Sequence, residues 1–311
     1  MIFKISQGFA NSCPPHILSE ICCNAVKHRH YMIADVYVRK KIRVSIVQHG
    51  STIQKELYKK YKGFSPTKEL QDYLTVIDVD ANYSHANFGY LVESKAVLLV
   101  ENSHNEWSLY KDLTAIYCES EKYGNLFKLL SEHQQKQLIV PINGGGYTQM
   151  PAMVDDFVKD SGKGNLSLLK IMTLFDRDTD NNSCFDGYKK ALFRFFAGGK
   201  DHHTITEADI YTLEQSPCVW HMWYKRAVEN YFPNDQYDAC GVSVTELNAC
   251  MDRDYFKFEN GTPRGYDKAK LPQLVKGLAF SDFEKGQKHF FVNGKETSEF
   301  ELFLLKMLRV I

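Results

Sequence analysis

AVLLVEN, residues 96–102, and LLKIMTLFDRDTD, residues 168–180, are the two stretches whose reading decides the fold. Each is a short run rich in Val, Ile and Leu that stops abruptly in acid. The first stops at Glu101, the second at Asp176 and Asp178, with Asp180 behind them. Apolar runs of this length, without alternation, read as strands covered on both faces, the pattern of a parallel sheet flanked by helices. The expected fold class is therefore α/β, with a mainly parallel, Rossmann-like sheet. In such sheets ligands gather outside the carboxyl ends of the strands, so Glu101, Asp176 and Asp178 are expected at one edge. Carboxylates that close repel one another and favour a cation among them. An all-oxygen set suits Mg²⁺ or Mn²⁺.

A third motif follows. Residues 225–232 read KRAVENYF, and a strand is expected just before them at 208–214. A glutamate closing one strand, D-x-D closing a later one, and a basic residue leading into Val-Glu-Asn-Tyr together resemble the topoisomerase–primase (Toprim) domain. Among its members they resemble nucleases of the overcoming-lysogenisation-defect (OLD) type and related anti-phage defence effectors. The resemblance covers residues 95–235, the tail loosely and the first 90 residues not at all. It implies a metal-dependent nuclease that hydrolyses phosphodiester bonds of DNA or RNA.

The resemblance implies Glu101, Asp176, Asp178, Asp180 and Glu229 as metal ligands, one of the strand-end acids doubling as general base. Two divalent ions about 4 Å apart around the scissile phosphate would supply the nucleophile and stabilise charge. Lys225 or Arg226 would steady the phosphate together with a late lysine, Lys285 or Lys288, in Glu-Lys-Gly-Gln-Lys-His. Family members have glycine after the first glutamate; Asn102 stands here, a residue that also tolerates tight turns. OLD proteins carry an ATPase ahead of the Toprim domain. This sequence has no Walker A motif, so the resemblance implies a separate ATPase subunit as partner, beside nucleic acid as substrate.

Length and composition set the frame. The 311 residues suit two domains or one large one, and 44% apolar with 24% charged residues is the balance of a soluble globular protein. No run is long enough to span a bilayer, and the N-terminus lacks a basic start before an apolar core, so a cytoplasmic protein is expected. The division expected is a small basic α+β domain at 1–94, the Toprim-like core at 95–235, and a helical extension at 236–311 completing the catalytic domain. Net charge is zero overall, yet residues 1–95 hold thirteen Lys/Arg against eight Asp/Glu. A basic half beside an acidic one fits a protein that neutralises its acids with metal and holds phosphate elsewhere. An ordinary fluctuation in charge fits equally. Oligomeric state stays open, a homo-oligomer included.

Smaller features complete the reading. YMIADVYVRKKIRVSIVQH, residues 31–49, reads as two strands broken by a basic turn, Arg39-Lys40-Lys41, a candidate nucleic-acid contact; residues 51–63 read as a helix and 73–94 as strands with turns at Asn82 and Asn87. QLIVPINGGGY, residues 137–147, is a strand ending in Gly144, Gly145 and Gly146, whose amides could receive a phosphate or simply turn the chain into the next helix. Cys13, His16, Cys22, Cys23, His28 and His30 crowd the first 30 residues, but without the C-x₂-C pairs of structural zinc sites; buried thiols and surface histidines are the plainer reading. DGYKKALFRFF, residues 186–196, reads as a helix, and KLPQLVKGLAF, residues 270–280, with FEKGQKHFFVNGKETSEFELFLLKML, residues 283–308, as helices around a glycine-containing turn. Two rivals to the nuclease share the same acids. One is a topoisomerase-type subunit, which needs a nucleophilic tyrosine; the other is a catalytically inactive nucleic-acid-binding scaffold.

Overall fold

The computed structural model describes the chain apart from residues 61–64, 102, 147, 181–194 and 201–203, and apart from the side chains of residues 60 and 103–105. Two parallel sheets organise it. The first takes β1 (Ile2–Ile5), β2 (Tyr31–Ile33) and β3 (Val76–Val79) in the order β2-β1-β3. The second takes β4 (Ala96–Val100), β5 (Ile139–Asn143), β6 (Ile171–Phe175) and β7 (Val219–Met222) in the order β5-β4-β6-β7, every neighbouring pair parallel. Every residue of β4, β6 and β7 is buried, which is why these runs lack alternation.

Helices fill the crossovers. Around the first sheet lie α1 (Gln7–Ser12), α2 (Pro15–Lys27), α3 (Val36–His49), α4 (Thr52–Lys60), α5 (Lys68–Tyr73) and α6 (His85–Glu93). Around the second lie α7 (Ser103–Tyr117), α8 (Gly124–Gln135) and α9 (Met150–Ser161). One hydrophobic cluster belongs to the first sheet with α2, α3 and α6. The other surrounds β4 and β6 and takes in the tail, where the helix Glu299–Leu308 is buried along its whole length. The two ends of the chain meet: the Met1 ammonium donates to the Ile311 carbonyl, and the Thr75 hydroxyl donates to the Arg309 carbonyl at 2.6 Å. Among the described residues no helix is long and apolar enough to cross a membrane.

Several expectations need correction. The first 94 residues form a parallel α/β layer, with helices between the strands, instead of an α+β arrangement. Residues 31–49 hold one short strand and then the helix α3. Asp35 caps it by accepting from the Val38 amide at 2.8 Å, and Val38, Ile42, Ser45 and Ile46 fall on one buried face. Burial at helical spacing outweighs the β-propensity of its valines. Arg39, Lys40 and Lys41 therefore do not form a basic turn but point in three directions around α3. Arg39 Nε donates to the Ala34 carbonyl and Lys41 Nζ to Asn11, both at 2.7 Å, while Lys40 is exposed.

Likewise, residues 73–94 carry one strand and α6, and 208–214 carry only the short helix Glu207–Ile210; the strand before KRAVENYF is β7, eight residues later. In the tail, β8 (His289–Val292) and β9 (Lys295–Ser298) form an antiparallel hairpin turned at Asn293-Gly294. Both turn residues have positive φ, 50° and 76°, the backbone that Asn-Gly supplies. Of the helix expected at 186–196, residues 186–194 lie outside the described part; Phe195 and Phe196 pack edge to face, centroids 5.0 Å apart.

Candidate functional site

Register brings the acids to one edge. Val100 pairs with Asn143 on one side and Leu174 on the other, so the residues leaving the sheet there are Glu101, Gly144 and, one place later on β6, Asp176. The Gly144 amide donates to the Val100 carbonyl at 2.6 Å, extending the ladder beside Glu101. A Cβ on Gly144 would lie 2.8 Å from Met150 Cγ and 3.1 Å from that carbonyl. Gly145 donates its amide to Asn143 Oδ1 at 3.0 Å. The triple glycine is thus a turn, packed closely at Gly144 and Gly145, with two of its three amides already committed to the protein.

Asp178 is the next unusual position. Its φ is +57°, a left-handed conformation that non-glycine residues adopt at a cost. The Arg226 carbonyl holds it there by accepting from the amides of both Arg177 and Asp178 at 2.9 Å. Between the two aspartates, Arg177 is buried and donates to the Tyr224 carbonyl at 2.9 Å. Asp176 and Asp178 line the same cavity, about 360 Å³, just beyond the end of β6. Arg226 and Glu229 line it too.

Asp176 feels the whole cluster. Its Oδ1 is enclosed, and burial pushes its pKa well above the usual carboxylate range. Glu101, Glu229, Asp178 and Glu106 add to the shift, in that order. Glu106, buried in the first turn of α7, was not among the expected ligands. Its signal was present: an acid in the first turn of a helix that starts at an acid-ended strand faces the same edge. The α7 N-terminus there also favours anions. Among the described residues no three His, Cys, Asp or Glu side chains stand together as a finished ion-binding group. The carboxylates share a field without sharing a coordination shell.

The Val-Glu-Asn-Tyr motif is a single 3₁₀ turn, Val228–Tyr231, and each residue has its own task. Glu229 is buried and accepts from the Tyr266 hydroxyl at 2.5 Å; its carbonyl accepts from Tyr237. Asn230 clamps backbone, donating to the Arg253 and Phe256 carbonyls at 2.8 and 3.0 Å and accepting from the Ala227 amide at 3.1 Å. Tyr231 donates to Glu299 while accepting from the Lys225 amide at 2.9 Å. Tyr266 and Tyr237 come from the tail, and no spacing in the sequence announces them.

The basic residues divide. Arg226 Nη1 pairs at 2.5 Å with Asp180, an exposed carboxylate that was also expected as a metal ligand. Lys225 pairs with Asp254 at 2.7 Å and lies over the Tyr231 ring, and Lys288 lies over the Tyr224 ring, 5.2 Å from its centroid. Lys285 is exposed at the end of the short helix Phe280–Glu284. None of these three lysines lines the acid cavity. Lys257 and Lys268 do, beside Arg226.

Behind the site Glu299 is wholly buried, and burial pushes its carboxyl up to about 7 against hydrogen bonds from Tyr231 and the Tyr224 amide that favour the charged form. His221, with Nε2 3.4 Å from Oε1, is kept neutral by burial. A raised carboxyl contributes stability that is complete below its unfolded pKa and is lost as pH rises through the folded one. Glu299→Gln should therefore gain thermal stability relative to the native chain as pH rises, by about 2 kcal/mol between about pH 5 and about pH 8. Parallel melting curves across that window check it; a constant difference would mean Glu299 does not titrate there.

In the cysteine-rich start, as elsewhere among the described residues, no three His, Cys, Asp or Glu side chains stand together as an ion-binding group. Cys13, Cys22 and Cys23 are buried and their thiols pushed up by burial, Cys13 and Cys23 to about 11. His30 Nε2 lies 3.1 Å from the Val92 carbonyl and Nδ1 3.3 Å from the Met1 ammonium. Compared with family models, curated proteins and solved structures, the chain matches none.

Proposed function

We propose that this chain is a Toprim-like, divalent-metal-dependent phosphodiesterase acting on nucleic acid. The observation that carries the reading is the meeting of Glu101, Glu106, Asp176, Asp178 and Glu229, from three separate stretches of chain, in one electrostatic cluster at the carboxyl edge of a parallel sheet. The donor set fits Mg²⁺ or Mn²⁺: all oxygen, part enclosed, and with Asp176 resisting charge unless a cation shares the space. Bound there, such an ion would polarise the phosphate and acidify water.

The chain's own residues do the rest. Tyr266 fixes which way Glu229 presents its carboxylate. Asp180 holds Arg226 extended, and Arg226 with Lys257 and Lys268 offers positive charge to a phosphate entering the cavity. The OLD-type resemblance extends the proposal to a defence effector working with a separate ATPase subunit.

The test incubates the chain with single- and double-stranded DNA and RNA in Mg²⁺, Mn²⁺ or EDTA. Cleavage confined to the divalent ions is the expected result. A covalent protein–DNA adduct would point to the topoisomerase-type subunit, and binding without cleavage to the scaffold; either would overturn the proposal.

A further inference from the structure

A second cavity, about 840 Å³, lies in the first parallel layer, between α3 and α4 at the carboxyl end of β2. Its floor is apolar: Met32 and Ala34 from the end of β2, Ile42 and Ile46 from α3, all buried. Tyr58 of α4 is half-buried in its wall. Its rim is cationic, with Arg39 and Arg43 one turn apart on α3 and Lys55 and Lys59 one turn apart on α4.

Two features separate this rim from an ordinary solvated face. Among the described residues, none of the four cations is paired with a carboxylate. Asp35, at the start of α3, is occupied elsewhere, capping the helix and accepting from Gln7 Nε2 at 2.6 Å. Four like charges lining one cavity repel, and an anion relieves that repulsion. Arg39 is also held in place, its Nε donating to the Ala34 carbonyl at 2.7 Å, which leaves the outer guanidinium nitrogens toward the cavity. The apolar floor asks for something more than an anion. A bare phosphate would leave the apolar side of the cavity, exposed Val47 and half-buried Tyr58, facing water, whereas a planar ring would cover it.

We propose that this cavity binds a nucleoside phosphate, its base on the apolar floor beside Tyr58 and its phosphates among Arg39, Arg43, Lys55 and Lys59. The volume falls in the range of small-molecule sites, and the position outside a parallel strand end is where such sheets hold ligands. The ligand can be a free nucleotide or the terminal nucleotide of a strand, since both present the same base and phosphate.

The experiment titrates the full chain by calorimetry in EDTA, so that no divalent ion lets the acid cavity take phosphate. The probes are ATP, inorganic tripolyphosphate and a 5′-phosphorylated dinucleotide. The variants are R43E/K59E and R43A, which alter exposed rim residues, and K40E, which removes an exposed cation of the same helix outside the cavity. Melting curves of each variant establish that it folds. Saturable binding of ATP or the dinucleotide is expected, with tripolyphosphate and the R43E/K59E variant each weaker by roughly tenfold or more, R43A intermediate and K40E unchanged. Saturation by ATP assigns a free nucleotide; saturation by the dinucleotide alone assigns a strand end. Three results overturn the proposal: equal affinity for tripolyphosphate, equal loss in K40E and R43E/K59E, or no saturable binding of either nucleotide.

Discussion

If the chain is the proposed phosphodiesterase, Asp176→Asn is expected to lower nucleic-acid cleavage by about 10³-fold or more, equivalent to about 4 kcal/mol of transition-state stabilisation. Asp176 is the group on which the fields of Glu101, Glu229, Asp178 and Glu106 converge, and its Oδ1 is enclosed. Asparagine keeps its shape and removes the charge that a cation would share with its neighbours. The same change relieves repulsion, so the variant should melt at or above the native temperature without divalent ions. Mg²⁺ or Mn²⁺ should raise the melting point of the native chain and leave that of the variant nearly unmoved. Cleavage at the native rate, or equal metal-induced shifts in both proteins, would remove Asp176 from the site. A variant that melts far below the native chain would mean that Asp176 is structural.

How much of this was legible in the sequence follows from which forces are local. β4 and β6 could be read because a strand buried on both faces has no polar residues to confuse it. Their acids could be read because the run ends where burial ends. The N-terminal layer was misread for the opposite reason. Valine and isoleucine dominate α3, and only their spacing at Val38, Ile42 and Ile46, with the Asp35 cap, shows which tendency wins. The hairpin at Asn293-Gly294 was missed although its turn signal stands in plain view between short β-rich runs. β7 was placed too early because PCVWHM has only four strand residues, paired along one edge of β6.

The site divides along the same line. Glu101, Asp176, Asp178 and Glu229 were readable as motif residues. Their supports were not, because the supports arrive through contacts distant in sequence. Tyr266 reaches Glu229 across 37 positions and Tyr231 reaches Glu299 across 68. Lys257 and Lys268 enter the cavity from a turn-rich stretch whose composition says only that the chain bends there. Asp180 is a third aspartate beside D-x-D, and its salt bridge to Arg226 is a contact no spacing announced.

That difference between ligand and support yields the other large effect. Glu229→Gln should reduce cleavage by about 10²-fold at low metal and recover part of it at high Mn²⁺, whereas Asp178→Asn should recover little. Glu229 sits on a turn that the protein itself positions, through Asn230, Tyr231 and the Tyr237 bond to its carbonyl. Glutamine fits that turn, and its oxygen still accepts from Tyr266. What is lost is one negative charge at one side of the cluster, with Glu101, Glu106, Asp176 and Asp178 remaining. Mn²⁺ tolerates such an impaired oxygen set better than Mg²⁺, which demands near-ideal octahedral geometry. Asp178 differs because its backbone is already held at φ +57° by Arg226, leaving little freedom for a substituted side chain to adapt. Tyr266→Phe provides the control for orientation alone: charge is kept, the 2.5 Å bond is gone, and a loss of roughly tenfold should persist at every metal concentration. Cleavage titrated against Mn²⁺ for the three variants and the native chain separates these cases. Native activity in Glu229→Gln at low metal would take Glu229 out of the site, and full rescue of Tyr266→Phe by Mn²⁺ would make Tyr266 part of the metal's binding and not of its geometry.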